Sequence, residues 1–170
     1  MPTQAEITVL QLLSAIEVEP QSVAKAIEGL GNEGVTVLCD VALGTFPGLR
    51  PKVRTNAVAL LGYVDHPQAK ETVHLLVKDP DPDVGIRALR AAGRRKDASL
   101  VPELAKMLQA ASLSPLVAAE VVRALQAIDS PEAHSALADY GQADPGKVPH
   151  RAAPVVNTYL GTHPGAHPKP

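Results

Sequence analysis

The sequence predicts an all-α fold, an α-solenoid in which antiparallel helix pairs are stacked in tandem. Three observations support this prediction: a segment repeats along the chain, prolines with capping residues before them mark helix starts, and the composition is aliphatic. Of the 170 residues, 45% are hydrophobic and only 2% are aromatic, and tryptophan is absent. The core must therefore consist of Ala, Val, Leu and Ile, and stacked hairpins of such helices bury one face on their neighbours.

The clearest repeat lies in the middle of the chain. Residues 51–81, PKVRTNAVALLGYVDHPQAKETVHLLVKDPD, align with residues 82–112 at an offset of 31, so that the starting prolines coincide and Gly62 meets Gly93. Apolar positions match through both halves of the segment, which indicates two helices in each unit. A third copy follows from residue 114, and a weaker one precedes the pair.

The other elements complete one predicted domain. An apolar periodicity at Ile7, Leu10, Leu13 and Ile16 predicts a lone capping helix, and the Pro-, Gly- and His-rich end of the chain predicts disorder. The predicted organisation is a single domain over 1–160, with a capping helix at 4–18, repeats at about 20–50, 51–81, 82–113 and 114–143, a terminal helix at about 150–160, and a disordered tail at 161–170.

Helix starts support the same division. Three dipeptides place a capping side chain before a proline, whose missing N–H costs nothing at the first helical position. They are Asp81-Pro82, Ser114-Pro115 and Ser130-Pro131. Asp83 and Glu132 then add negative charge to a first helical turn, where it complements the helix dipole.

The aspartates of KDPDPDV have a rival interpretation as a calcium loop. Such a loop needs Gly at its sixth position and Glu at its twelfth, but counting from Asp79 these positions hold Val84 and Arg90. The run is instead interpreted as a joint between helices.

A known family matches this pattern. The motif P-x-V-R-x-x-A-x-x-L-G is present as Pro51, Val53, Arg54, Ala57, Leu60 or Leu61, and Gly62. It resembles HEAT repeats, in particular the short type of bacterial repeat proteins and phycobilin lyases, over about residues 20–142. The resemblance implies a right-handed superhelical stack that binds partners. Gly85 and Ala118 replace the motif arginine in the next two units, so the ladder of Asp–Arg contacts common in the family is interrupted there.

Charge and composition restrict the partner. With 18 acidic and 16 basic side chains, the formal net charge is -2, which does not favour nucleic acid. The first 50 residues are acidic and the middle of the chain is more basic, a pattern that would permit head-to-tail self-association. Another protein is the predicted partner.

The compartment is predicted from what the chain lacks. A single cysteine, Cys39, allows neither an internal disulfide nor a multi-cysteine metal site, and its apolar neighbours predict burial. The N-terminus has no basic residue before its apolar run and makes a poor signal peptide. No apolar stretch approaches the roughly 20 residues that span a bilayer. We expect a soluble cytoplasmic protein without membrane contact.

Two sets of side chains are candidates for partner binding. By resemblance to HEAT arrays, the second helix of each unit lines the concave side, and its exposed positions include Lys70, His74, Glu103, Lys106, His134 and Asp139. The alternative is that these are only the solvated faces of amphipathic helices. The second set is the basic cluster Arg90, Arg94, Arg95 and Lys96. It either binds phosphate or carboxylates, or complements the dipole at a helix end.

No catalytic constellation is recognisable. The chain has no G-x-S-x-G or H-E-x-x-H motif, and GLGNEG at 29–34 lacks the preceding strand of a dinucleotide site, so it is interpreted as an interhelical turn. Pro164 and Gly165 argue against a helical metal site at His163 and His167. No cofactor or metal is predicted.

The leading hypothesis is a non-enzymatic protein-binding scaffold or adaptor, which sequence does not separate from a structural subunit of an assembly. The family implies two alternatives, a bilin lyase-like subunit and a HEAT-like DNA glycosylase. The scarcity of aromatic residues disfavours both, since a tetrapyrrole or an extruded base needs stacking partners.

Overall fold

Helices account for all regular secondary structure in the part of the chain that the structure describes. The structure, a computed structural model, describes residues 1–15, 19–143 and 145–160. The helices are α1 (Gln4–Ser14), α2 (Pro20–Gly29), α3 (Gly31–Leu43), α4 (Pro51–Leu60), α5 (Pro67–Leu76), α6 (Pro82–Arg95), α7 (Val101–Gln109), α8 (Pro115–Ile128), α9 (Pro131–Ala143) and α10 (Ala153–Tyr159), with 3-10 turns at Ala98–Leu100 and Pro145–Lys147. The predicted all-α fold of packed helix pairs is confirmed.

The chain forms two compact units, Met1–Ala91 and Ala92–Pro170. In the first unit α3 is the central helix and contacts α1, α2, α4 and α5. In the second unit α9 contacts α7, α8 and α10. Each unit therefore buries its helices around the second helix of a repeat.

The core is aliphatic in both units, as the composition predicts. Fully buried large side chains include Leu13, Ile27, Leu38 and Leu61 in the first unit, and Leu104, Leu125 and Leu137 in the second. Cys39 is also buried, with 1% of its surface exposed, which confirms the prediction from its apolar neighbours.

Equivalent glycines of consecutive repeats mark close contacts between helices. A Cβ atom on Gly62 would lie 3.0 Å from Ala91 Cα, and one on Gly93 would lie 3.3 Å from Ala124 Cα. The match between these glycines in the sequence repeat thus has a packing reason, because any side chain there would hold the neighbouring helix away.

The predicted helix caps are confirmed. Asp81 Oδ1 accepts a hydrogen bond from the Asp83 N–H at 2.9 Å. Ser114 and Ser130 each accept a bond from the backbone N–H three residues later, at 3.3 Å and 3.2 Å. Helices α6, α8 and α9 accordingly begin at the proline after each cap.

The first and last helices are shorter than predicted. The capping helix expected at 4–18 ends at Ser14, because Ala15 has an extended backbone with ψ 138°. The end of that expected helix, including Ile16, lies outside the described residues, as does the predicted tail at 161–170. The terminal helix expected at 150–160 is confined to Ala153–Tyr159.

Glu132, in the first turn of α9, is expected to make the stability of the fold depend on pH. The hydrogen bond from its own backbone N–H, and a second one with the Ser130 side chain, hold the pKa of Glu132 below its ordinary value. A carboxylate with a lower pKa in the folded than in the unfolded chain stabilises the fold above the unfolded pKa, and this contribution is lost as pH falls through the folded pKa.

We therefore expect Glu132→Gln to lower the melting temperature at neutral pH, and the difference from the unsubstituted chain to shrink as the solution is acidified. Thermal unfolding followed by circular dichroism from pH 7 down to pH 3 measures this. Glu71→Gln, at an exposed site on α5, is the control. A difference that does not change with pH would contradict the assignment.

Candidate functional site

The motif arginine joins three segments of the first unit. Arg54 Nε donates to the Ala42 carbonyl oxygen at 3.0 Å, and Arg54 Nη2 donates to Asp79 Oδ2 at 2.6 Å. The other oxygen of Asp79 accepts from the Asp81 N–H at 2.9 Å. Because the side chains of Arg54 and Asp79 are only 26% and 12% exposed, this pair positions the ends of α3 and α5 and offers little surface to a partner.

The predicted candidates on α5 are less exposed than an open binding face would need. Lys70 and His74 are both half-buried, whereas Glu71 and Lys78 are exposed. Lys70, His74 and Lys78 each take part in an interaction within the chain. Helix α5 lies beside α3, where the Thr36 hydroxyl donates to Gln68 Oε1 at 3.0 Å.

His66 is a functional helix cap that the sequence interpretation missed. Its Nδ1 accepts from the Gln68 N–H at 3.2 Å, which leaves Nε2 to donate to Asn32 Oδ1 at 3.2 Å. The Asp65 N–H donates to Glu28 Oε1 at 2.7 Å beside it. The signal is present in the sequence, since His66 precedes Pro67 as Ser114 precedes Pro115, but histidine is not among the usual N-cap residues.

An open groove with many small apolar residues in its lining is a concave feature of the second unit. It has a volume of about 700 Å³ and lies among α7, α8, α9 and the Pro145–Lys147 turn. Small apolar side chains dominate its lining, which includes Ala105, Leu108, Ala111, Leu113, Pro115, Ala118, Ala136 and Ala143. Asp139, a predicted candidate, and Tyr140 and Lys147, which the sequence interpretation missed, add polar groups.

A hydrogen bond fixes one side of the groove. The Tyr140 hydroxyl donates to the Lys147 carbonyl oxygen at 3.3 Å. The turn after α9 is thereby held against its own helix.

Of the two candidates on α7, Lys106 is exposed and Glu103 is half-buried and already engaged in an interaction.

His134 lies in a contact between helices of the second unit. Its Nε2 is 2.6 Å from Asp129 Oδ1, and its ring stacks on Tyr159 with centroids 4.8 Å apart. Asp129 adopts a left-handed backbone conformation that ends α8. His134 therefore ties the start of α9 to α10 and to the end of α8.

The basic cluster occupies the end of α6 and the residue after it. Arg90, Arg94 and Lys96 are exposed, and Arg95 is half-buried. None of the three arginines is free of interactions within the chain. Arg94 and Arg95 stand in the last helical turn, where positive charge complements the dipole.

The described residues contain no group of three or more His, Cys, Asp or Glu side chains that could hold a metal ion. Within the same ranges, none of the helices has the length and apolar character needed to cross a bilayer.

Comparison with known proteins identifies one family. A family model for HEAT repeats matches residues 44–113 and, in a second overlapping alignment, residues 71–154. No match is found among the curated proteins.

Proposed function

Because the chain belongs to the HEAT-repeat family, we propose that it is a non-enzymatic scaffold or adaptor that binds a partner protein in the groove of its second unit. HEAT repeats are typical of protein-interaction scaffolds. The observation that carries the proposal is the apolar groove of about 700 Å³ beside α9.

The lining of the groove suits a polypeptide segment. The alanine and proline side chains that line the groove are small and leave room for the side chains of a partner. Burying apolar side chains of the partner supplies binding free energy. Tyr140 is of a residue type enriched at the energetic centres of interfaces. Asp139 and Lys147 provide one charge of each sign, as in the polar rim of many interfaces.

The other predicted side chains are proposed as separate contacts with a partner, each within its own unit. Lys106 is exposed on α7, one of the helices that form the groove, and Lys96 is the exposed end of the basic cluster. A partner would have to share or replace interactions that seven predicted side chains already make within the chain. These are Lys70, His74, Glu103, His134, Arg90, Arg94 and Arg95.

Site-specific photocrosslinking tests the proposal. A photoreactive amino acid at position 111, an exposed residue of the groove, is expected to crosslink one dominant protein in host lysate. The same amino acid at position 126, exposed on α8 and not part of the groove, is the control. Mass spectrometry identifies the product, and an absorbance spectrum of the purified chain detects a bilin or nucleic acid.

A matched pair of charge insertions completes the test. Ala111→Glu places a carboxylate in the apolar groove, where leaving it unpaired under a partner costs several kcal/mol, so we expect capture of the partner to fall at least about tenfold. Gln126→Glu adds the same charge outside the groove and should leave capture unchanged. Equal crosslinking from both positions, or a coloured or nucleic acid-bound preparation without a protein partner, would overturn the scaffold proposal.

A further inference from the structure

Two large leucine side chains remain outside the core of the first unit. Leu43, the last residue of α3, is 36% exposed, and Leu75, near the end of α5, is 66% exposed. The other leucines of this unit are buried or half-buried. Single exposed leucines are common on protein surfaces, so these two are informative only if they form one patch.

Three hydrogen bonds hold α3 beside α5, one of them direct and two through Arg54 of α4. The Thr36 hydroxyl, in the middle of α3, donates to Gln68 Oε1 near the start of α5. Near the ends of the two helices, Arg54 binds both the Ala42 carbonyl oxygen and Asp79. Helices α3 and α5 consequently run parallel and adjacent.

The register then brings the leucines together. Leu43 follows Thr36 by two helical turns, and Leu75 follows Gln68 by the same two turns. The two side chains thus stand on corresponding turns of neighbouring helices, and we name them the Leu43–Leu75 patch.

Two carboxylates lie one helical turn before the leucines of the patch, and a third lies farther along α3. Glu33 and Asp40 lie on the stripe of α3 that carries Thr36 and Leu43, and Glu71 lies one turn before Leu75. Among the described residues, no hydrogen bond or ion pair involves the carboxylates of Glu33, Asp40 or Glu71, although other groups of the same region are paired. The lysines of this face, Lys70 and Lys78, each already have an interaction.

We infer that the Leu43–Leu75 patch binds a cationic amphipathic segment of a partner protein, with apolar side chains on the leucines and Lys or Arg beside the carboxylates. The inference rests on the proposed scaffold function and assigns the chemistry of one contact. Burial of the leucines supplies affinity, and the carboxylates select positive charge. An acidic segment would meet like charges and be rejected.

A synthetic probe tests the inference directly. The probe is a fluorescein-labelled helical peptide of lysine and leucine, about four turns long, with all leucines on one face. Fluorescence anisotropy measures its binding to the full chain at low and at high salt. The comparison peptides have the same composition in scrambled order, or glutamate in place of lysine. We expect the amphipathic cationic peptide to bind at least about tenfold more tightly than either, with affinity falling as salt screens the carboxylates.

Paired leucine substitutions locate the site. The double variant Leu43→Ser and Leu75→Ser is expected to bind the probe at least about tenfold more weakly, since burial of one leucine alone accounts for a factor of that order. Leu116→Ser removes a leucine of similar exposure, 52%, from α8 of the second unit and should leave binding unchanged. Helical circular dichroism confirms that each variant is folded.

Three outcomes would overturn the inference: no binding of the probe by the unsubstituted chain, equal binding of the scrambled or acidic peptide, or the same loss from Leu116→Ser. Crosslinking from position 111 is a separate measurement. If it captures a partner while the probe fails, the Leu43–Leu75 inference falls and the scaffold proposal stands. If the probe binds at the patch but position 111 captures no partner, the proposal that the groove binds a partner falls, and the Leu43–Leu75 inference stands.

Discussion

Replacing Gly34 by alanine is expected to lower the free energy of unfolding by about 3 kcal/mol, a large part of the stability of an ordinary domain. Helices α2 and α3 are separated by Leu30 alone. A Cβ atom on Gly34 would lie 2.6 Å from the Ile27 carbonyl oxygen and 2.6 Å from Leu30 Cβ. Neither atom is the flexible end of a side chain, so the two helices must move apart.

Gly29→Ala is the matched control for this prediction. Gly29 is the last residue of α2 and lies at the same junction between α2 and α3. A Cβ atom on Gly29 would meet nothing within 4 Å. Alanine also has a better helix propensity, so we expect this variant to be unchanged or stabilised by up to about 1 kcal/mol. Urea unfolding of both variants measures the difference. Equal midpoints would show that the junction between α2 and α3 adapts to the added methyl group.

Replacing Arg54 by alanine is expected to cost about 2 kcal/mol of unfolding free energy. The substitution removes both hydrogen bonds of the guanidinium and leaves the Asp79 carboxylate, 12% exposed, without its cation. We place the cost below that of breaking a fully buried pair because Arg54 itself is 26% exposed to water.

Three further variants isolate the contribution of the pair. Arg54→Lys keeps the charge but loses the forked geometry that reaches two acceptors, so it should recover only part of the stability. Asp79→Asn completes a double-mutant cycle with Arg54→Ala, and we expect a coupling free energy above about 0.5 kcal/mol. Arg50→Ala removes an exposed arginine just before α4 and should change stability little. A coupling close to zero would mean that the pair only accompanies the packing of these helices.

Helices whose start signals lie in neighbouring residues were predictable from the sequence. The helix starts at Pro82, Pro115 and Pro131 follow from a capping side chain and a proline that are adjacent in the chain. The burial of Cys39 follows from its apolar neighbours. The start of α5 at Pro67 obeys the same rule, although its cap is the less common His66.

The candidate site was only partly predictable. Asp139 does line the groove, but its neighbours there come from three helices and a turn, and no periodicity along one helix reveals such a set. Periodicity placed His134 on an exposed face, yet the structure pairs it with Asp129 and stacks it on Tyr159. The partner of Arg54 is 25 residues away in the chain, beyond the reach of local patterns.

Helices with an aliphatic core were predictable because capping and hydrophobic periodicity act between residues a few positions apart, and the repeat spacing predicted their tandem pairing. The contacts between helices show which polar side chains tie them together and which surfaces remain open. The groove of the second unit and the adjacency of Leu43 with Leu75 arise from the register between helices. Within each unit, close contacts between residues remote in the chain hold the helices in place, such as Gly93 with Ala124 and Arg54 with Asp79.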